Sequence, residues 1–148
     1  YVPQNIYLTD ESLKNNIAYG INESEIDEDL LNRSINKSQL KDFIDSLPDK
    51  LNTVIGERGI RISGGQKQRI GIARALYHNP HILVFDEATS ALDYKTEEQI
   101  VNSINELRNT KTIIIISHRQ STLDKCDLIY TFSNKKLIKT SQWLIYYV

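Results

Sequence analysis

Two adjacent acids, Asp86 and Glu87, close a short apolar run, Ile82 to Phe85. A strand that ends in acids delivers them to the carboxyl edge of a sheet, where open α/β sheets place their ligands. Side chains alternate along a strand, so the two acids face different ways and take different work. One suits Mg²⁺, a cation that keeps several waters and takes a carboxylate or two. The other suits polarising an attacking water. A bland reading, surface acids capping the next turn, stands beside this one.

Arg61 to Leu76 reads RISGGQKQRIGIARAL. Ser63, Gly64 and Gly65 precede a helix, so free amides and the positive end of the helix dipole point one way. Two glycines permit close approach of an anion, and the Ser63 hydroxyl adds a donor, a geometry suited to phosphate. Ser63 as a plain N-cap explains the same residues. Ile113 to Arg119 reads IIIISHR, again a strand running into polar residues. His118 there can donate to a terminal phosphate, or it is an ordinary loop histidine. Gln4 in the opening YVPQ is a candidate neutral oxygen ligand, or simply a loop glutamine. His78 and His81 flank Asn79-Pro80, lack partner acids or cysteines, and are rejected as a zinc pair. A phosphate-binding loop requires G-x-x-x-x-G-K-[ST]. The nearest approach, Gly59 to Gly64, has Gly65 where the lysine must stand.

The elements that must position these residues follow from periodicity. From Asn22 to Leu47 the pattern is helical: Ile26, Leu30, Leu31 and Ile35 recur at helical spacing. Ser38 is expected to cap a second helix carrying Leu40, Phe43, Ile44 and Leu47, ended by Pro48-Asp49. Glu23, Glu25, Asp27, Glu28 and Asp29 read as a solvated acidic helix start. Beyond Ser63, strand and helix alternate. Helices are expected over Gly65 to Tyr77 and Thr96 to Leu107, and strands over Ile82 to Phe85, Thr112 to Ile116 and Leu128 to Phe132. Ile82 to Phe85 is expected to be buried on both faces. Ser133-Asn134-Lys135 is a turn, and Leu137 to Lys139 pairs back antiparallel. Buried strands separated by helices imply a parallel sheet.

Composition bounds the rest. The chain has 148 residues, 40% hydrophobic and 25% charged, with net charge −1, enough for one core. Near-neutral charge argues against a polybasic nucleic-acid binder. One cysteine, Cys126, excludes an internal disulfide. No apolar run reaches the ~20 residues of a membrane-spanning helix, and the opening has no signal-peptide pattern. Methionine is absent even at position 1, so the expectation is an internal piece of a longer chain.

Taken in order, these motifs resemble the nucleotide-binding domain of ATP-binding-cassette (ABC) transporters of the exporter type. YVPQ is similar to the family's Q-loop, ISGGQ to its signature (with Ile62 where leucine is usual), and ILVFDE to its Walker B strand. SALD, Ser90 to Asp93, is similar to the D-loop, and SHR to the H-loop. TVIGERG, Thr53 to Gly59, resembles the exporter motif held to sense the membrane domains. The resemblance implies an α/β, P-loop NTPase-like parallel sheet, incomplete and with later strands only, carrying a helical insertion. Residues of about 5–77 would form the helical subdomain, and about 78–148 the later part of the RecA-like core. The A-loop, the Walker A loop and the opening strands lie upstream in family members. Without them the sheet is expected to show an open edge and an uncovered apolar face.

The resemblance also implies roles and cofactors, ATP and Mg²⁺. Glu87 would be the general base; Asp86 and Gln4 would hold Mg²⁺; His118 would contact the γ-phosphate. Ser63, Gly64, Gly65 and Gln66 would grip the ATP of an opposite subunit. Ser90 and Asp93 would communicate across that dimer. Implied partners are a second nucleotide-binding domain and transmembrane domains, not nucleic acid, at the cytoplasmic face of a membrane, as in a bacterial inner membrane. Two other readings stand. One is a catalytically silent segment offering only the signature half-site. The other is a soluble DNA-repair-type ATPase, disfavoured because no long heptad run separates Gln4 from Ser63. The apolar tail, Trp143 to Val148, has no assigned role.

Overall fold

The computed structural model describes residues 1–56 and 60–140. Glu57 to Gly59, within the TVIGERG stretch, and the apolar tail at 141–148 lie outside the described residues. Two compact units are present, Tyr1–Ile116 and a second beginning at Ser117.

The first unit is built on a helix with strong local signals. Helix α4 spans Gly64–Tyr77, and Ser63 caps it by a reciprocal capping box with Gln66. Its burial is wider than the expected Ile70, Ala73 and Leu76 face, because Gln68, Gly71, Ile72 and Tyr77 are buried too. Helix α1 (Leu13–Ile17) packs on α4, as does α2 (Glu28–Lys37). Leu13, Ile17, Leu31, Leu40, Ile55, Ile70 and Ile72 form the fully buried centre of this part.

Helix α2 starts where its acids predict: the Asp27 side chain accepts from the amides of Asp29 and Leu30. The Ser38 cap is corrected. Ser38 ends α2 instead, its hydroxyl donating back to the Ile35 carbonyl at 3.1 Å. Gln39 then turns with φ +57°, and α3 (Lys41–Asp45) begins after Leu40 without a side-chain cap. A hydroxyl committed to its own helix is not available to the next.

Strand β1 (Ile82–Asp86) pairs in parallel with β2 (Thr112–Ile116), Asp86 opposite Ile116. Helix α5 (Tyr94–Asn105), capped by Asp93, connects them and buries Ile100, Val101 and Ile104. On the other edge of β1, Val2 forms a parallel bridge to Phe85. Burial of β1 on both faces is corrected as well. Leu83 and Phe85 are buried, whereas Ile82 is 57% exposed and Ile114 and Ile116 each 49%. Alternation puts Ile82, Val84, Ile114 and Ile116 on one face, of which Ile82, Ile114 and Ile116 are exposed.

The second unit contains α6 (Gln120–Leu123) and an antiparallel hairpin, β3 (Ile129–Ser133) with β4 (Lys136–Thr140). Ser133 faces Lys136 across a two-residue turn whose members, Asn134 and Lys135, have φ +48° and +61°. Positive φ at both positions is the type I′ geometry that matches strand twist. Among the described residues no helix is long and apolar enough to cross a membrane.

Candidate functional site

Strand β1 carries Asp86 as its last residue, and the chain leaves the strand at Glu87. Glu87 has φ +47°, a left-handed backbone that costs a non-glycine residue about 1–3 kcal/mol. Its amide donates to the Ile116 carbonyl at 2.9 Å, and its carbonyl accepts from Ser90 N at 3.0 Å. The strained residue is therefore held from the neighbouring strand and from its own loop. The turn sends the two acids to different partners. Tyr1 Oη donates to Asp86 Oδ2 at 2.7 Å, and Gln4 Nε2 donates to Glu87 Oε2 at 2.8 Å. The Asp86 bond holds the Tyr1 phenol above its usual pKa. Val2 places both donors, since its N–H donates to Val84 O and its carbonyl accepts from Asp86 N.

The segment after Gln4 is pinned to the helices. Arg74 of α4 donates from Nε to Asn16 O at 2.8 Å and from Nη1 to Tyr7 O at 3.1 Å. Asn16, fully buried, returns bonds to the Thr9 and Ser12 carbonyls. Burial lowers the Arg74 pKa from its usual value, and its guanidinium lies 5.0 Å from the Tyr19 ring centre. Ile6 packs where Gly71 has no side chain: a Cβ there would meet Ile6 Cγ1 at 2.6 Å.

A second cluster forms at the start of α4. Ser63 Oγ accepts from Gln66 N at 3.2 Å, and Ser63 N donates to Gln66 Oε1 at 2.9 Å. The Gln66 carboxamide is thus folded onto its own helix start. The Ser63 hydroxyl proton and the amides of Gly64 and Gly65 remain the donors of the first turn. Gly64 and Gly65 lie against the loop after β1, with a Cβ at Gly65 only 3.3 Å from Ala91 O. Ser90, in that loop, accepts from Gln68 Nε2 at 3.1 Å. Asp93 ends the loop, its Oδ1 accepting from Thr96 N at 3.0 Å. Hydrogen bonding from Thr96, its side chain foremost and then this amide, holds the Asp93 carboxyl below the usual carboxylate range, and the Arg69 charge adds to it.

Two groupings result. Gln4, Asp86 and Glu87 stand together, as do Ser63, Gly64, Gly65, Gln66, Ser90 and Asp93; the loop from Glu87 to Asp93 joins them. His118 belongs to the second unit, beside Ser117, whose Oγ accepts from Arg119 N at 3.0 Å. Its role toward the acids rests on the resemblance. Tyr1, Gln68 and Arg74 were missed from sequence. Only Gln68 carried a signal: with Gly64 and Gly71 it makes a stripe at i, i+4, i+7.

The donor set fits Mg²⁺. Among the described residues no group of three or more His, Cys, Asp or Glu side chains converges as a metal cage. Gln4 Oε1 and Asp86 Oδ1 are hard oxygens not engaged by the two bonds above, and Mg²⁺ takes few protein oxygens.

Comparison with known proteins gives the family of the chain. The family model described as ABC transporter matches residues 1–90. The ATP-dependent lipid A-core flippase of Pseudoalteromonas translucida is 41% identical over 97% of this chain and 24% of its own length. The ABC multidrug transporter atrD of Emericella nidulans is 42% identical over 94% of this chain and 10% of its own. A bacterial Atm1-family ABC exporter, solved with ATP bound, superposes with TM-score 0.86 at 39% identity, covering 95% of this chain and 25% of that one. The chain thus spans a quarter or less of these relatives' length. With a matched family model over most of its residues and the α/β fold that goes with it, the chain belongs to the ABC transporter family and carries part of its nucleotide-binding domain.

Proposed function

We propose that this chain is part of the ATP-hydrolysing engine of an ABC exporter. It works as a pair of nucleotide-binding domains at the cytoplasmic face of a membrane, joined to transmembrane domains. Glu87 is the general base toward water, oriented by Gln4. Asp86 and Gln4 hold Mg²⁺, which when bound neutralises phosphate charge. Ser63, Gly64, Gly65 and Gln66 bind the γ-phosphate of the ATP on the opposite subunit through a helix N-terminus. Ser90 and Asp93 meet that subunit, and His118 contacts the γ-phosphate of its own ATP. ATP between two such domains joins them, and hydrolysis releases them, which drives the attached membrane domains between inward and outward states.

The bond between Gln4 Nε2 and Glu87 Oε2 is the observation that supports this most directly. It holds a carboxylate by a neutral donor, which orients the base without neutralising it. The test is Glu87→Gln in the complete polypeptide. Retained ATP binding, a trapped dimer and a turnover lower by about 10²-fold or more are expected. Turnover at the wild-type rate removes Glu87 from this role.

A further inference from the structure

Gln68 is 4% exposed, one turn into α4 from Ser63. A buried carboxamide is costly unless its polar atoms are bonded, and here both are. Oε1 accepts from Ala91 N at 2.9 Å while Nε2 donates to Ser90 Oγ at 3.1 Å. One side chain of the helix therefore holds two consecutive residues of the loop by a backbone and a side-chain bond. The surfaces around it are in contact. A Cβ at Gly64 would sit 3.5 Å from Ala91 Cβ, and one at Gly65 3.6 Å from Leu92 Cδ2.

The same loop is braced from α5, where Thr89 Oγ1 donates to Glu97 Oε1 at 3.3 Å and Glu97 is 3% exposed. Ser90, the residue Gln68 grips, donates its amide to the carbonyl of Glu87. The path from the helix start to the strained acid is thus short: Gln68, Ser90, Glu87.

We propose that Gln68 is a positioning residue that makes the start of α4 and the Glu87–Asp93 loop one rigid unit. Phosphate held at Ser63–Gly65 then fixes the setting of Glu87 in the same chain. This rests on the reading above, in which Ser63–Gly65 and Glu87 serve different ATP molecules of a dimer. Gln68 accordingly couples the two sites through each subunit.

The test is ATPase kinetics of the complete transporter. Gln68→Met keeps length and approximate volume but removes both bonds. Expected are a kcat lower by about tenfold, a KM for ATP within about twofold, and a Hill coefficient for ATP reduced toward one. Ser90→Ala lowers kcat in the wild-type background and adds nothing in the Gln68→Met background, the non-additivity of residues acting through one contact. A wild-type kcat and Hill coefficient in folded Gln68→Met, or additive losses in the double variant, overturn the proposal. Should Gln68→Met not fold, Ser90→Ala alone removes the side-chain bond from its other end. A lowered kcat at an unchanged melting temperature then supports the proposal, and a wild-type kcat overturns it. Glu87→Gln in the same assay separates the two levels. If it keeps wild-type turnover, the ATPase reading fails; if it is inactive while the Gln68 variants are wild-type, only the coupling fails.

Discussion

Gln4 and Glu87, 83 residues apart in sequence, meet through a single amide-to-carboxylate bond of 2.8 Å. Its neutrality matters. Gln4→Glu would set a second carboxylate at hydrogen-bond distance, and like charges that close cannot both ionise. We expect the acid limb of the ATPase pH–rate profile of the complete transporter to move up by about one pH unit or more. Gln4→Leu, which removes the donor without adding charge, should lower kcat and leave that limb in place. A Gln4→Glu profile that overlays the wild type contradicts the contact.

Gly71 is a packing requirement. A Cβ there would overlap Ile6 Cδ1 and lie 2.6 Å from Cγ1, in a place where Ile6 is already buried. Gly71→Ala is expected to destabilise by about 1–3 kcal/mol, measured by thermal or denaturant unfolding. Ile6→Val, which removes the Cδ1 methyl, should recover part of that loss. Two penalties that simply add would show that the pair does not share a space.

Tyr77 ties α4 to the start of α2. Its Oη accepts from Asp27 N at 3.0 Å, and the ring is 4% exposed. Tyr77→Phe leaves the ring in place and removes the acceptor, so a loss of about 1 kcal/mol is expected. A denaturant midpoint equal to the wild type would mean that water replaces the hydroxyl without cost.

Asp93 makes stability depend on acidity. Its carboxyl is held below the usual range, chiefly by hydrogen bonds from the Thr96 side chain and amide. A lowered folded-state pKa contributes stability that is present above the unfolded value, about 3.9, and is lost as pH falls through the folded value. The melting-temperature advantage of wild type over Asp93→Asn should therefore be constant near neutrality and shrink below about pH 4. An advantage that grows toward acid contradicts the sign.

What was legible in the sequence is what local chemistry decides. Ser63 followed by Gln66 three residues later is a capping box, and it starts α4 within one residue of the expected position. A short apolar run ending in acids is a strand, and Asn134-Lys135 between two strands is a tight turn. Ser38 shows where this fails. Its hydroxyl has two helices within reach, and periodicity does not say which one it serves.

The candidate site divides in the same way. Residue types and their order along the chain, read from sequence, already placed Asp86 and Glu87 at a strand end and Ser63 at a helix start. Only the tertiary structure decided that Tyr1 and Gln4 reach those acids, that Gln68 holds Ser90 and Ala91, and that one face of β1 stays open. The reason is range. Caps and strand alternation act over a few residues, whereas these bonds join positions 85, 83, 22 and 23 apart. Such separations are closed by packing α4 against the loop and Val2 against β1, which no local pattern encodes.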